Sequence, residues 1–357
     1  MKKAAVTLVQ AIASFSILAT ALPLLTFEAW YVRVFDYPRL QLLFIALVTF
    51  LLYLWLGTRH RKRDKLLLVG LPIAVIYQAI NIYPYTFFAQ EQVKQASGQG
   101  TELSIMVSNV FMKNEAYGKL IALTQDRNPD VLLLLETDSV WQKAIEPATQ
   151  KYPYRIEIPL SNTYGMHLYS KLPLRQKKVN YLLDKDIPSI KTYVKLRNGI
   201  WVELHAVHPK PPAPAESANT KKRDAEIVMV GKDVADSEYP VVVAGDFNDV
   251  AWSRSTELFQ EVSGLLDPRI GRGLYNTFNA NYLLLRWPLD HVFHSDHFKL
   301  IHLERLHDIE SDHFPIYIKL SFAPENKYEQ QEPKADEDTA KEAAETIQEG
   351  KEEAQED

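Results

Sequence analysis

Three long apolar runs dominate the first 90 residues of this 357-residue chain. They extend from Ala4 to Phe27, from Leu40 to Gly57 and from Leu66 to Phe88. A helix needs roughly 20 apolar residues to cross about 30 Å of hydrocarbon, where no water is available for unpaired backbone groups. We therefore expect residues 1–90 to form a membrane anchor with three transmembrane helices. A cleaved signal peptide is the alternative for the first run, but that run is longer than a typical signal-peptide core and two further spans follow it.

The basic residues beside these runs predict how the helices are oriented. The segment from Thr58 to Lys65 carries five Lys or Arg residues, and Lys2 and Lys3 precede the first run. Because cytoplasmic loops are enriched in Lys and Arg, both segments are expected on the cytoplasmic side. Everything after Phe88 then lies outside. In a bacterium this describes a multi-pass protein of the inner membrane whose soluble domain is periplasmic or extracellular.

Composition narrows the chemistry of the soluble part. The chain contains no cysteine, which excludes thiolate metal sites and a cysteine nucleophile. Residues 321–357 carry thirteen Asp or Glu against four Lys and have almost no large apolar side chains, so we expect a disordered acidic tail. Residues 91–320 have a net charge of about −2, which does not favour a basic nucleic-acid-binding surface.

Residues 101–320, between a linker at residues 91–100 and the tail, are expected to form one domain of the α/β class. Short apolar runs typical of strands alternate with helical stretches. The expected strands are 103–109, 131–136, 199–209, 240–246, 289–295 and 312–320, and the expected helices are 116–128 and 221–234. This alternation predicts packed sheets covered by helices.

Polar side chains follow several of these predicted strands. In PVVVAGDFND, residues 240–249, a buried strand runs straight into Gly245 and is followed by Asp246 and Asn248. A turn would explain this ending equally well, because Gly, Asp and Asn commonly close strands. Similar polar residues recur, however, at one end or the other of further predicted strands: Asn109, Glu136, His208, Asp290 with His291, and Asp312 with His313. Ligands of layered α/β folds bind where strand ends cluster, so these side chains predict one active site.

The motifs LLLLET, GDFN, DHVF and SDHFP occur in this order and resemble those of the endonuclease/exonuclease/phosphatase superfamily, the deoxyribonuclease I-like enzymes. The chain looks similar to the bacterial membrane-anchored branch of that superfamily. The resemblance covers about 220 residues, nearly the whole soluble domain. It implies a four-layer α/β/β/α sandwich, here preceded by three transmembrane helices, that hydrolyses phosphoester bonds with a divalent metal.

The resemblance implies a metal site at three of the strand ends. Glu136 would be the principal ligand, with Asn109 beside it and Asp312 in support. The metal would be Mg²⁺, with Mn²⁺ as the alternative. Oxygen ligands of this kind suit hard cations, and such a cation offsets the negative charge that develops during phosphoryl transfer.

The resemblance also implies the catalytic roles. Asp246 would align or activate the attacking water, and Asn248 would hold the phosphate. His313, oriented by Asp290, would stabilise or protonate the phosphoryl group, because a carboxylate behind an imidazole fixes its tautomer and raises its basicity. His208 matches the histidine at the end of the family's central strand.

The other histidines are weaker candidates. His205 and His208 lie in one predicted strand on opposite faces; we prefer His208 because it is at the strand end, and His205 stays open. His291, His294 and His297 are expected to be structural or surface residues, since DHVFHSDH lacks the spacing of a defined metal site.

The membrane anchor favours one substrate class. It would keep the domain near lipid headgroups, so a lipid-linked phosphoester is the preferred substrate. The basic clusters 175–178 and 221–223 are expected to be solvated surface rather than parts of a nucleic-acid groove. A periplasmic endonuclease or exonuclease is the second interpretation, and a catalytically inactive binding module is the third.

Overall fold

Helices long and apolar enough to cross a membrane occupy the N-terminal region. The computed structural model describes residues 2–25, 27–56, 62–98, 100–214, 216–324 and 329–356. Three candidate spans and a short connecting helix precede the soluble domain: α1 (Lys2–Ala21), α2 (Trp30–Arg33), α3 (Arg39–Leu56) and α4 (Lys62–Ile82). Small and apolar residues such as Ala13, Ala46 and Leu71 pack between the three long helices. Arg59 and Arg61, which contribute to the expected orientation, lie outside the described residues.

The described part of the soluble domain contains eleven strands in two sheets. In chain order they are β1 (Thr101–Asn109), β2 (Val131–Leu135), β3 (Tyr154–Ile158), β4 (Met166–Ser170), β5 (Leu174–Asn180), β6 (Ser189–Lys195), β7 (Trp201–Val207), β8 (Val241–Asp246), β9 (Asp290–His294), β10 (Phe298–Arg305) and β11 (Ile316–Phe322). The first sheet has the order β10-β11-β1-β2-β4-β3, and the second has the order β5-β6-β7-β8-β9.

Helices cover the outer face of each sheet. They are α5 (Tyr117–Arg127), α6 (Ser139–Ala144) and α7 (Glu146–Thr149) on the first sheet, and α8 (Lys221–Ala235) and α9 (Arg254–Ser263) on the second. The largest core cluster lies between the sheets, where Val107 and Leu133 of the first meet Leu204 and Val242 of the second. The predicted α/β/β/α sandwich is therefore confirmed.

Close packing of strand ends explains the glycine of GDFN. Gly245 has a φ of 148°, and a Cβ at this position would lie 1.9 Å from the carbonyl oxygen of Val207 on the neighbouring strand. Only glycine allows β7 and β8 to approach this closely where both strands end. The glycine thus brings the residues that follow the two strands together.

The last strand begins later than predicted. β11 starts at Ile316 rather than at residue 312, so that Asp312 and His313 lie in the loop before it. Pro315 directly precedes the strand and has no amide hydrogen for a sheet ladder. Because Ile316 pairs with Val107 of antiparallel β1, this loop lies beside the carboxyl end of β1.

The expectation of a disordered acidic tail is wrong for most of residues 321–357. Phe322 ends β11, and a further helix, α10 (Glu337–Glu356), packs against α8. Its contact face is built from small residues: Ala343 is fully buried beside Val228, and a Cβ on Gly350 would lie 2.2 Å from Cβ of Ala225. Small residues at helical spacing bury a backbone face without large apolar side chains, so the scarcity of such side chains did not exclude a docked helix.

Candidate active site

Strand direction brings the predicted strand-end residues together. β1 and β2 run parallel, as do β7 and β8, so each pair ends at one edge of its sheet. β9 runs antiparallel to β8 and begins where β8 ends, with Asp290 paired with Asp246. Thr137 follows β2 and packs against Gly165, where a Cβ would lie 1.7 Å from the Thr137 carbonyl oxygen. The two sheets therefore present their polar ends to each other.

Asp246 lies at the centre of this cluster and is fully buried. Its Oδ1 accepts a hydrogen bond from the amide of Asn248 at 2.8 Å. Its Oδ2 lies 3.2 Å from Nδ2 of Asn109, 3.5 Å from Nε2 of His313 and 3.9 Å from Nε2 of His208. Burial raises the pKa of Asp246, with the two histidines opposing the shift. A buried carboxylate of raised pKa beside imidazoles has the basicity required of a general base.

His313 is held between two carboxylates. Its Nδ1 lies 2.8 Å from Oδ2 of Asp290, and its Nε2 faces Asp246. Although burial favours the neutral ring, Asp290 and then Asp246 raise the pKa of His313 to about 10. The imidazole is therefore a cation at neutral pH, pointed at the centre of the cluster. The Phe278 ring, 4.9 Å away between ring centres, packs against it.

Glu136 follows β2 in a left-handed conformation with a φ of 59°. Its carboxylate accepts hydrogen bonds from Nδ2 of Asn109 at 2.9 Å and from the amide of Met112 at 3.4 Å. Burial, with the nearby charge of Asp312, raises the pKa of Glu136 to about 7 against these hydrogen bonds. Non-glycine residues in this conformation are strained and tend to occur at functional sites.

Asn109 and Asn248 orient the cluster by different means. Oδ1 of Asn109 accepts from the amide of Phe111, so that its Nδ2 points at the carboxylates of Glu136 and Asp246. Asn248 has a φ of 51°, and its Nδ2 donates one hydrogen to the carbonyl of Pro209 at 2.9 Å. The second hydrogen of that amide remains for a ligand.

His208, rather than His205, is the strand-end histidine beside Asp246. It is buried, and its Nδ1 has no hydrogen-bond partner among the described residues. Burial lowers the pKa of His208 to about 4, so the ring is neutral. Nε2 of His205 lies instead 2.8 Å from Glu203, where Lys191 supplies the positive charge.

His291 and His294 have structural surroundings, as expected. The His291 ring stacks on Phe293 and bonds to the Asp249 carbonyl and to Arg269. Burial lowers the pKa of His294 to about 4.

Contacts that reach the GDFN turn from other parts of the chain were not predicted. Arg223 belongs to a cluster expected to be solvated surface, yet it is buried, and its guanidinium donates to the Asn248 carbonyl at 2.9 Å and pairs with Asp249 at 3.0 Å. The hydroxyl of Tyr37, from the segment between the first two candidate spans, donates to the same carbonyl at 2.7 Å. In the sequence, Asp249, next to the motif, was the one residue that could have indicated these contacts, since a carboxylate that is buried requires a partner.

The donors around Glu136 fit a hard divalent cation. The charge of half-buried Asp312 helps to raise the pKa of Glu136, and burial raises the pKa of both carboxyl groups. The hydrogen bonds that Glu136 receives come from neutral amides. A cation would compensate this charge, and all the donors are oxygen. Asp246, Asp290 and His313 also lie close enough to hold a metal, but there the charged His313 already compensates the carboxylates.

Comparisons with known proteins identify the family and support the fold. The sequence model of the Endonuclease/Exonuclease/phosphatase family matches residues 106–313, which is 208 of the 357 residues. A solved family protein from Bacteroides thetaiotaomicron is similar in structure, with a TM-score of 0.53 and 18% identity over 65% of this chain and 99% of that chain. An endonuclease/exonuclease/phosphatase from Beutenbergia cavernae has a TM-score of 0.50 and 17% identity over 62% and 72%.

Humanized D. rerio TDP2 is a third similar structure, with a TM-score of 0.50 and 15% identity over 62% of this chain and 99% of that chain. At such identities the likeness is one of fold. No curated protein matches the chain in sequence.

Proposed function

Because the chain belongs to the endonuclease/exonuclease/phosphatase family, we propose that it is a membrane-anchored, metal-dependent phosphoesterase that hydrolyses phosphodiester or phosphomonoester bonds outside the cytoplasm. The observation that carries the proposal is the buried cluster in which Asp246 lies within 3.9 Å of both His313 and His208, with Asp290 on the far side of His313. A turn that only closes the strand, the alternative explanation of the GDFN motif, would not require these contacts. A cationic imidazole facing a basic carboxylate is suited to move protons and stabilise negative charge.

Each residue of the cluster has a distinct task in the proposed reaction. Asp246 accepts a proton from the attacking water while the water oxygen bonds to phosphorus. Nδ2 of Asn248 holds a non-bridging oxygen with its free hydrogen. His313, kept charged by Asp290, stabilises the developing negative charge or donates its proton to the leaving oxygen as the ester bond breaks. His208, neutral and buried, faces the same carboxylate oxygen of Asp246 as His313 and adds no charge there.

The metal belongs beside this cluster rather than within it. Glu136 and Asp312 would hold it, and Asn109 orients the Glu136 carboxylate through its amide; a further bond from Oδ1 of Asn109 stays a prediction. When bound there, Mg²⁺ would polarise the phosphoryl oxygens and offset their charge. Mn²⁺ has similar ligand preferences and is the alternative.

Lipid-linked phosphoesters are the substrate class that we propose. The three candidate spans support it, because a tethered site meets lipid phosphates at high effective concentration. The net charge of the soluble domain, about −2, does not favour electrostatic binding of a long polyanion such as DNA. A nuclease active in the same compartment is the competing outcome.

Turnover by the purified full-length protein in detergent micelles tests the proposal. A panel of lipid-borne phosphomonoesters and phosphodiesters, soluble phosphoesters and DNA would be assayed with Mg²⁺, with Mn²⁺ and with excess chelator. We expect metal-dependent hydrolysis that disappears in Asp246→Asn. A folded protein without activity on any phosphoester, with either metal, would favour the inactive binding module instead.

A further inference from the structure

Four consecutive apolar residues of the soluble domain project into solvent. Residues 279–286, here named the leucine loop, include Tyr282, Leu283, Leu284 and Leu285, whose exposed fractions are 58%, 78%, 77% and 46%. Runs of this kind are rare on the surface of soluble domains and mark contact surfaces. The contacts of the loop indicate which kind of partner it fits.

The leucine loop lies beside the membrane anchor. Nε2 of Gln41, near the start of the candidate span α3, donates to the Leu284 carbonyl at 2.7 Å. At the base of the loop, the Trp287 ring packs edge-on against Tyr37, with 5.8 Å between ring centres. Phe87 and Phe88, which follow the third candidate span, are 77% and 74% exposed. The loop therefore lies at the end of the apolar helices, where the surface of a membrane would be.

Several backbone carbonyls of the leucine loop are already hydrogen-bonded within the protein. Arg286 donates to the carbonyls of Tyr282 and Ala280, at 2.8 and 3.1 Å. The Leu285 carbonyl accepts from the amide of Asn279, and Gln41 satisfies the carbonyl of Leu284. Unpaired carbonyls would oppose entry into lipid. Tyr and Arg at the two ends of a run of three leucines are typical of the interface between water and hydrocarbon.

The same loop borders the active site. The amide of Ala280 donates to the Asp312 carbonyl at 2.7 Å, and Phe278 packs on the His313 ring. Leu283 is three residues from Ala280, so its backbone lies within about 11 Å of Ala280 and about 15 Å of the Asp312 carbonyl. The headgroup layer is about 5–8 Å deep on each side of the hydrocarbon, and this limit allows Asp312 to lie at headgroup height when Leu283 reaches the hydrocarbon.

We propose that the leucine loop inserts into the outer leaflet beside α3 and thereby holds the active site at the height of lipid phosphate groups. The inference rests on the proposed membrane anchoring and deepens it. The partner is the bilayer itself, and the substrate is a phosphoester lipid that remains embedded while its headgroup enters between Asp312 and Asn248. A protein partner would not require apolar side chains beside the start of the candidate span α3.

Introduced cysteines test the insertion directly, because the chain has none of its own. Leu284→Cys, Leu47→Cys in the middle of α3 and Ile200→Cys would each be labelled with an environment-sensitive fluorophore in full-length protein reconstituted into phospholipid vesicles. Ile200 is the matched control, since it is 41% exposed and precedes β7 at the end opposite His208. Lipids carrying a nitroxide high or low on the acyl chain would serve as quenchers.

We expect the probe at Leu284 to be quenched most by the high nitroxide, the probe at Leu47 most by the low nitroxide, and the probe at Ile200 by neither. Quenching at Leu47 without quenching at Leu284 would overturn the inference and leave the anchor in place. A probe at Leu47 that is not quenched would refute the anchor, and the loop inference would fall with it. If the probe at Leu284 is quenched no more than the probe at Ile200, the loop does not enter the bilayer and the inference is refuted.

Turnover provides a second, independent readout. The double variant Leu283→Ser with Leu284→Ser should lower the ratio of turnover on vesicle-borne phosphoester to turnover on a soluble ester by about tenfold or more, because burying even part of two leucines favours membrane contact. Ile200→Ser should leave the ratio unchanged. A ratio unaffected in the double variant would contradict the link between the loop and the substrate.

Discussion

Replacing Asp290 by Asn should change the pH dependence of turnover as well as its size. Oδ2 of Asp290 lies 2.8 Å from Nδ1 of His313, and among nearby charges this carboxylate contributes most to the raised pKa of the imidazole. The substitution keeps the shape of the side chain and removes the charge. Burial of His313, which lowers its pKa, is then opposed chiefly by Asp246.

The magnitude follows from the protonated fraction. With a pKa of about 10, His313 is about 99% protonated at pH 8. At an unperturbed pKa of about 6.5 that fraction is about 3%, so turnover at pH 8 should fall roughly 30-fold. In the native protein His313 stays protonated below about pH 10. The turnover of the native protein should therefore be nearly flat from pH 7 to pH 9. The variant should instead lose about tenfold for each pH unit in that window.

The assay is turnover of a soluble phosphoester at saturating Mg²⁺ between pH 6 and pH 10, normalised to folded protein by circular dichroism. Glu203→Gln is the matched control, since it removes a buried carboxylate 2.8 Å from a different histidine, His205, outside the site. Its profile should follow that of the native protein. A profile of Asp290→Asn parallel to the native one, merely displaced downwards, would refute the view that Asp290 keeps His313 charged.

Three further predictions address the metal, the C-terminal helix and the topology. Glu136→Gln and Asp246→Asn should each lower turnover by at least about a hundredfold with the fold intact, and chelation should do so reversibly; full activity in excess chelator would exclude the metal mechanism. Ala343→Asp places a charge against Val228 and Leu258 and should cost about 2–3 kcal/mol and lower the Tm by several degrees, whereas Ala344→Asp on the exposed side of α10 should not; equal Tm values would show that α10 does not dock. Protease added to intact spheroplasts should digest the domain after Phe88, and protection until the membrane is permeabilised would reverse the proposed orientation.

The sheets and much of the candidate site follow from local sequence patterns. Parallel strands end at one edge, so a polar residue after each buried run predicts neighbours, and Asn109 with Glu136 and His208 with Asp246 meet in this way. The contact between Asp290 and His313 depends on where β9 begins and on the path of the loop before β11. Those are tertiary features that spacing does not encode.

Contacts between the site and distant parts of the chain could not be predicted from the sequence, for physical reasons. Tyr37 and Asn248 are separated by 211 positions and by a boundary between apolar and soluble segments, so no local pattern joins them. Arg223 resembles any surface arginine until a buried acceptor is known. α10 was missed because its small residues gain their stability from α8, which the composition of the segment does not reveal.

The most direct test of the central claim compares lipid and DNA cleavage by full-length protein in vesicles with Mg²⁺, at low and at physiological salt. Nucleases depend on many phosphate contacts and lose affinity steeply with salt, whereas a single headgroup engages one or two charges. We expect hydrolysis of lipid-borne phosphoesters that changes little with salt and is abolished in Asp246→Asn, together with weak cleavage of DNA. Efficient DNA cleavage that collapses at physiological salt, without activity on any lipid, would contradict it.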